Sequence, residues 1–335
     1  MRAAVLKAYG QPFVVEELPD PKPGPGQAVL KVSRCGVCGS DLHMSSGHGL
    51  NFPLDTVLGH EFSGEVVEVG QGVSRLKVGD LATAMPMTGC GHCPACQAND
   101  PFRCADRVSL TAGYAEYVLV GERSAARLPA MVSLADAALT EPLACGLRGA
   151  ERAALSPGAR VLVIGAGAIG LAAAYWSRRL GAGKVAVSAR TDRAAHIAAY
   201  MGADAFVRAD ADLSAAAAEA LGGPPDVVFE CVGAPGMFAQ AVDCVRPDGT
   251  VCVLGFCTVP DSFVPSDALA KEARVVFALA YDRAAFERSL AVMDAGDVAA
   301  RAMVTSTVSL DAFPAAFQAL RGPTDQCKVL LDPWA

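Results

Sequence analysis

Four cysteines stand close together in the stretch GCGHCPACQANDPFRC, which runs from Gly89 to Cys104. Four thiolates in a tetrahedral arrangement satisfy Zn²⁺ and leave no position open for water or substrate. An iron–sulfur cluster can use similar spacing, but zinc is the favoured ion. The stretch predicts a closed, structural zinc site in which His92 is not a ligand. Its ligands follow the spacing C-x2-C-x2-C-x7-C: Cys90, Cys93, Cys96 and Cys104.

A second set of metal-binding residue types is scattered along the chain. Cys38 lies in CGVCGSDLH, His60 in GHEF and Glu141 in EPLACG. No local spacing joins them, and a lone cysteine or histidine is more often packed than bound to metal. Together, however, a thiolate, an imidazole and a carboxylate form the kind of three-ligand zinc site that keeps a position open for catalysis.

A glycine motif lies in VLVIGAGAIGLAAAYW, where a short apolar run leads into GxGxxG and then into a helical pattern. The first glycine of such a motif makes the turn, the second lets the backbone approach a pyrophosphate, and the third allows the helix to pack on the strand. The motif therefore predicts a bound dinucleotide. The expected contacts are Gly165, Ala166, Gly167, Ala168, Ile169 and Gly170.

The end of the following strand indicates which dinucleotide is bound. An acidic residue there would bond the adenosine ribose of NAD, but KVAVSARTDR has Ala189 at that place, followed by Arg190 and then by Arg193. The small residue leaves room for a 2′-phosphate, and a guanidinium suits phosphate. We expect NADP(H) to be preferred over NAD(H). The alternative is that Asp192 reaches back to the ribose, although it is better placed to cap the next helix.

The patterns around these residues predict an α/β protein with two kinds of domain. Residues 1–150 alternate like short strands between turn signals such as PKPGPGQ, which indicates an irregular β domain with a metal-binding lobe at 89–104. Residues 151–280 alternate apolar strands with Ala-rich helical segments, as in a Rossmann doubly wound parallel sheet. Residues 281–335 contain helices and a final strand, CKVLLDP, and return to the first domain.

Composition narrows the class of partner. The chain has 335 residues, 52% of them hydrophobic, and a net charge of −7. Its acidic and basic residues are mixed along the chain and form no continuous basic stripe, so we expect neither nucleic acid nor a membrane as partner. No apolar run reaches a membrane span of about 18 residues. The first residues lack the apolar region of a signal peptide, and a cytoplasmic location is expected. The cysteines outside the metal sites, including Cys231, Cys244, Cys252, Cys257 and Cys327, are interpreted as packed thiols.

The order of CGSDLH, GHE, the four-cysteine lobe, EPLACG and GAGAIG resembles the zinc-dependent medium-chain alcohol and polyol dehydrogenases over essentially the whole chain. The resemblance implies a GroES-like catalytic domain formed by both chain ends, with an inserted Rossmann domain. It places a catalytic zinc on Cys38, His60 and Glu141, with EPL as the sorbitol-dehydrogenase-like form of the third ligand. Two zinc ions per chain are therefore expected.

The same resemblance assigns roles to neighbouring side chains. Glu61 matches a carboxylate near the metal that can approach it or replace the water, and whether Glu141 or Glu61 contacts zinc in the resting state stays open. Asp41 matches the partner that orients the His60 ring. Ser40 and His43 match a relay that takes the substrate proton to solvent. By the same comparison, Cys35 and Cys145, although close to ligands in sequence, are not ligands.

Further expectations concern the cofactor, the substrate and the assembly. Val232, Gly233 and Leu254 match segments that line the nicotinamide, and Lys328 matches a basic position near the cofactor. The substrate pocket would draw on residues 45–52 and on SLTAGY. Relatives form dimers or tetramers through a Rossmann edge strand, here around RVVFALA.

The implied activity is hydride transfer between a secondary alcohol or polyol and NADP, the small-molecule substrate being an alcohol or a ketone. Leu50, Phe52 and Leu110 slightly favour a hydrophobic substrate. Two alternatives remain: an NAD-dependent polyol or threonine-type dehydrogenase, and a non-catalytic protein that binds the cofactor on the same scaffold.

Overall fold

A computed structural model describes residues 1–209 and 212–335. The chain forms two compact units, one made of Met1–Glu141 with Tyr281–Ala335 and the other of Pro142–Ala280. The sequence analysis places the boundaries after residues 150 and 280, and the two compact units change after Glu141 and after Ala280.

The first unit begins as an irregular arrangement of short strands with three short helices and a 3-10 turn at Pro101–Arg103. Its elements are β1 (Arg2–Leu6), β2 (Val14–Glu17), β3 (Gln27–Gly36), α1 (Gly39–Met44), β4 (Thr56–Val57), β5 (Glu61–Val69), β6 (Leu81–Ala84), β7 (Met87–Thr88), α2 (Pro94–Gln97), β8 (Val108–Ser109), β9 (Tyr117–Gly121), β10 (Ala125–Arg127) and α3 (Leu134–Ala137).

The second unit alternates strands and helices, with a 3-10 turn at Asp192–Ala194. A helix that starts at the boundary leads into it, and the elements are α4 (Thr140–Ala153), β11 (Arg160–Ile164), α5 (Ala168–Arg179), β12 (Lys184–Ala189), α6 (Ala195–Tyr200), β13 (Ala205–Arg208), α7 (Leu213–Leu221), β14 (Val227–Glu230), α8 (Met237–Cys244), β15 (Thr250–Val253), α9 (Pro265–Ala270) and β16 (Arg274–Phe277).

The chain then returns to the first unit, with a 3-10 turn at Ala299–Met303. The remaining elements are α10 (Arg283–Asp294), β17 (Val304–Ser309), α11 (Phe313–Ala319) and β18 (Lys328–Asp332). The main sheet of this unit has the order β10-β6-β5-β3-β18-β17, and β9 also pairs with β3. Because β18 pairs with β3 and β3 with β5, the last strand of the chain lies close to the residues that follow His60.

The six strands of the second unit form one parallel sheet in the order β13-β12-β11-β14-β15-β16. This order is that of dinucleotide-binding folds, with the strand-order reversal beside β11. The predicted Rossmann sheet is therefore present.

Helix α4 packs with the second unit, which places the change of unit at Glu141. The Trp176 indole of α5 donates a hydrogen bond of 2.8 Å to the carbonyl of Leu143, and Gly146 lies so close to Ala172 that a side-chain carbon there would be 2.6 Å from it. Turn signals in the sequence fall after α4, whereas its packing joins it to α5.

No disulfide joins any two of the twelve cysteines, all of which the structure describes. Cys244 and Cys252 are buried as predicted, but Cys257 is exposed, so its interpretation as a packed thiol is wrong. In residues 1–209 and 212–335, no helix combines the length and the apolar character that a membrane crossing requires.

Candidate active site and metal centres

The four cysteines of the lobe converge on one point. Their sulfur atoms all lie within 4.8 Å of one another, with Cys104 buried and the other three half-buried. Cys93 directly precedes the short helix α2, and a side chain at Gly89 would collide with the Cys96 sulfur. The ring of His92 is exposed and lies 3.2 Å from the Cys90 carbonyl, outside this group of ligand atoms.

The electrostatics of the lobe fit a divalent cation. Backbone amides of His92 and Cys93 lower the pKa of the Cys90 thiol to about 6, which favours the thiolate that binds metal. The Gly91 amide lowers the pKa of Cys96 as well, but burial and the neighbouring thiols outweigh it and raise that pKa to about 12. Four thiolates are therefore not stable together without a cation, and Zn²⁺ suits four sulfur ligands.

A second group of ligand atoms lies in the same unit. The Cys38 sulfur, a His60 ring nitrogen and a Glu61 carboxylate oxygen are within 4.8 Å of one another. Cys38 precedes α1, and Glu61 begins β5, opposite Gly36 of β3. Any side chain at Gly36 would overlap the Glu61 carboxylate, so this close pairing requires a glycine. A thiolate, an imidazole and a carboxylate suit zinc.

The carboxylate in this group is not the one that the resemblance favours as third ligand. Glu141 is buried in the first turn of α4, only 7% exposed. Among the described residues, however, the group closer than 4.8 Å takes its carboxylate from Glu61. The antiparallel pairing of β5 with β3 brings Glu61 beside Cys38, whereas Glu141 approaches from a separate helix.

His60 has the partner that the resemblance predicts. Its Nδ1 lies 3.3 Å from Oδ1 of Asp41, a residue with no exposed surface. Burial lowers the pKa of His60, but the charges of Asp41 and Cys38 outweigh it and raise the pKa well above its ordinary value. A carboxylate at this place favours the proton on Nδ1, which would leave the other ring nitrogen for the metal.

Lys328 lies in this cluster, and its predicted place near the cofactor stays a prediction. Its ammonium is 2.7 and 2.6 Å from the two carboxylate oxygens of Glu61 and 2.8 Å from the carbonyl of Val37. Both side chains are almost fully buried. Burial lowers the pKa of Lys328, but Glu61, Cys38 and Glu141 together raise it, so the group keeps its charge. Lys328 reaches Glu61 because β18 pairs with β3, and β3 pairs with β5, the strand that begins at Glu61.

The proposed relay residues share helix α1. Ser40 is half-buried and donates a hydrogen bond of 3.2 Å to the Cys38 sulfur, while His43 is exposed. Residues three apart lie on the same side of a helix, so Ser40 and His43 share one side of α1.

Cys35 is fully buried, and burial raises the pKa of its thiol well above the ordinary value, which fits a packed thiol. Cys35 and Cys145 are outside both groups of ligand atoms.

The structure also adds a residue that the motifs do not reveal. Tyr114 ends SLTAGY, the stretch predicted to contribute to the substrate pocket, but it has no exposed surface. Its hydroxyl donates a 2.5 Å hydrogen bond to Oδ2 of Asp41. In the sequence this residue is one aromatic side chain in an apolar stretch, and no spacing connects it to Asp41, 73 positions earlier.

In the second unit the glycine motif lies between β11 and α5. Gly165 has a φ of +106°, which favours glycine, and Gly167 precedes α5 with open space where a side chain would stand. A side chain at Gly170 would overlap the carbonyl oxygen of Gly165, so helix and strand are in close contact. The amides of Ala168 and Ile169 begin α5, where an anion is favoured. Ala166 lies between strand and helix.

The residues predicted to select the cofactor lie at the end of β12. Ala189 is half-buried, whereas Arg190 and Arg193 are exposed. Asp192 begins a 3-10 turn without capping it, and its carboxylate lies 3.5 Å from Arg208 instead. Arg208 stands opposite Ala189 in the neighbouring strand β13, so it is a third arginine at this place, which the sequence analysis missed.

The turn after β14 is organised by a buried carboxylate. Glu230, 3% exposed, accepts hydrogen bonds of 2.7 and 2.8 Å from the amides of Val232 and Gly233. Its carbonyl accepts from the amide of Leu254, at 2.8 Å. The three residues predicted to line the nicotinamide therefore share one support, which the motifs alone do not show.

Comparison with known families gives two matches that together span most of the chain. Residues 24–130 match the alcohol dehydrogenase GroES-like domain, and residues 168–295 match the zinc-binding dehydrogenase domain. The first match contains the four-cysteine lobe, Cys38, His60 and Glu61, and the second contains the turn after β14.

Full-length relatives agree with these matches. The chain is 34% identical to a sorbitol dehydrogenase from Halalkalibacterium halodurans, with 99% of each chain covered, and 32% identical to an (R,R)-butanediol dehydrogenase from Bacillus subtilis, with 95% of this chain and 96% of the relative covered. A solved structure described as a zinc-binding dehydrogenase from Sinorhizobium meliloti 1021 bound to NADP is 31% identical, with a TM-score of 0.89 and 99% of each chain covered.

Proposed function

We propose, since this chain belongs to the zinc-dependent medium-chain alcohol and polyol dehydrogenases, that it transfers a hydride between a secondary alcohol or polyol and NADP. The observation that supports this most strongly is the group formed by Cys38, His60 and Glu61. With Glu141 near by, the set offers a thiolate, an imidazole and a carboxylate to a catalytic zinc. When bound, zinc supplies Lewis acidity, which lowers the pKa of a hydroxyl group.

Ser40 and His43 move the proton in this proposal. The Ser40 hydroxyl is held at the Cys38 sulfur by its 3.2 Å hydrogen bond, beside the ligand group, and accepts the proton of the substrate hydroxyl. His43, exposed on the same helix, passes the proton to solvent. A positioned base contributes a factor of about 10² to 10⁴ in rate. The much larger acidification by the metal makes Ser40 and His43 assistants rather than the main source of rate.

NADP rather than NAD is the proposed cofactor because of the groups at the end of β12. Ala189 leaves space, and Arg190 and Arg193 offer guanidinium groups to a 2′-phosphate. The relative from Sinorhizobium meliloti binds NADP. Val232, Gly233 and Leu254 are proposed to line the nicotinamide.

The test is an initial-rate screen of secondary alcohols, polyols and ketones with NADP(H) and NAD(H). We expect a higher kcat/KM with NADP. Loss of one charge-assisted contact worth about 1.5–3 kcal/mol in Arg190→Ser should lower kcat/KM for NADP by about 10- to 150-fold and leave NAD almost unchanged. Arg179→Ser, at the far end of α5, is the control and should change neither.

Each alternative has its own outcome in that screen. Higher kcat/KM with NAD would favour the NAD-dependent polyol or threonine-type enzyme. Cofactor binding without turnover of any tested substrate would favour a non-catalytic protein. Leu50, which is 60% exposed, and half-buried Phe52 and Leu110 lead us to expect better turnover of hydrophobic substrates than of sugars.

We also propose that the chain forms a homodimer or homotetramer through β16, and that it works in the cytoplasm. The strand is at the edge of the parallel sheet. Beside it, Phe277 is 68% and Leu279 79% exposed, an apolar edge that a second copy of the chain would cover.

A further inference from the structure

We propose that Tyr114 is a positioning residue for the catalytic metal, acting through Asp41 on His60. The Tyr114 hydroxyl lies 2.5 Å from Oδ2 of Asp41, and Oδ1 of the same carboxylate lies 3.3 Å from Nδ1 of His60. The three side chains form one line of polar groups that ends at the metal-binding group. The inference rests on the proposed zinc site and concerns what holds that site in shape.

Asp41 needs the tyrosine because it has no contact with solvent. A buried carboxylate is stable only when hydrogen bonds satisfy its oxygens. Tyr114 donates the hydrogen bond that satisfies Oδ2, whereas Oδ1 faces His60 at 3.3 Å and has no hydrogen-bond partner among the described residues. Burial and the charge of Asp41 raise the pKa of Tyr114 well above its ordinary value, so its hydroxyl stays protonated and can only donate toward that carboxylate.

The Tyr114 ring is fixed by packing on residues far from it in the chain. It packs on Phe13, Phe313 and Phe317, with ring centroids 6.1, 4.6 and 6.2 Å away. The ring therefore has little freedom, and the direction of the hydroxyl is set by the hydrophobic core.

The backbone around Tyr114 also holds the segment that precedes His60. The Tyr114 amide donates to the carbonyl of Leu58 at 2.9 Å, and the Gly113 amide donates to that of Gly59, also at 2.9 Å. Gly59 has a φ of +95°, and a side chain there would be 2.6 Å from the Tyr114 ring. One tyrosine thus contacts both the chain that carries the ligand and the carboxylate that orients it.

Removal of only the hydroxyl tests this role. Tyr114→Phe keeps the ring and its packing but leaves Asp41 Oδ2 without its donor. Loss of outer partners of metal ligands typically weakens metal binding by 10- to 100-fold. We expect the Kd for the catalytic zinc to rise by about tenfold or more, measured by competition with a chromophoric chelator. The four-cysteine zinc should be unaffected and serves as the internal reference.

Two further variants separate positioning from general damage. Tyr117→Phe removes a hydroxyl on neighbouring β9 from a ring that contacts Trp334 instead, and it should leave the zinc Kd unchanged. In an Asp41→Asn background, Tyr114→Phe should have no further effect, because the tyrosine acts through that carboxylate. A Kd in Tyr114→Phe within twofold of wild type would overturn the inference, and so would equal losses in Tyr114→Phe and Tyr117→Phe. If wild type held only the four-cysteine zinc, the proposed function itself would fail instead.

Discussion

The buried ion pair of Lys328 and Glu61 gives the largest predicted loss of stability. Lys328→Met has similar length but no charge, and it leaves Glu61, with no exposed side-chain surface, without its cation. Two short contacts to the carboxylate and one to the Val37 carbonyl are lost together. Breaking a buried pair on one side costs about 3–5 kcal/mol. For a unit of this size that loss is about 6–20 °C in Tm.

The assay is urea denaturation, followed by tryptophan fluorescence and circular dichroism, of protein from which a chelator has removed any metal at Cys38, His60 and Glu61, so that Lys328 is the cation beside Glu61. The control is Lys22→Met, which removes the exposed partner of Glu68 at 3.4 Å and should lose almost nothing. The double variant Lys328→Met with Glu61→Gln should recover part of the loss, because it removes the uncompensated charge. Equal losses in Lys328→Met and Lys22→Met would refute the reasoning that burial makes this pair costly to break.

Three further outcomes are expected. Burial raises the pKa of Asp136, but hydrogen bonds from Arg301 and Ser133 lower it overall. The pair therefore stabilises the fold above the ordinary pKa of an aspartate and loses this effect as the pH falls through the lowered pKa of Asp136. Asp136→Asn should cost about 1 kcal/mol at pH 7, a small loss because Arg301 is 55% exposed, and progressively less as the pH falls below the ordinary pKa, in urea titrations. Ser40→Ala should lower kcat by about 10² or more in steady-state assays with little change in zinc content, and an unchanged kcat would exclude it as proton acceptor. Phe277→Glu should convert the assembly to monomers in analytical ultracentrifugation, while an unchanged mass would show that β16 is not the interface.

Local pattern was enough to predict the second unit and the lobe. The GxGxxG turn and the cysteine spacing can be recognised in short continuous stretches, because the residues of each motif are neighbours in the chain. Arg208 was missed because it joins the cofactor-selecting arginines only through strand pairing, opposite Ala189.

The group of Cys38, His60 and Glu61 was harder to predict because its members meet through the β sheet. Lys328 reaches Glu61 across 267 positions, and Tyr114 reaches Asp41 across 73. No periodicity in the sequence reports such contacts. The resemblance gave Cys38 and His60, but the register of β3 with β5 and β18 determines that Glu61 and Lys328 accompany them.

The central claim is that a catalytic zinc on Cys38 and His60 exists in addition to the zinc of the four-cysteine lobe. Its most direct test is zinc content per chain by mass spectrometry, measured with the NADP-linked rate in wild type and in His60→Ala. We predict two zinc ions and activity in wild type, and one zinc, a folded chain and no activity in His60→Ala. A single zinc in fully active wild type, or two in His60→Ala with activity retained, would contradict the account.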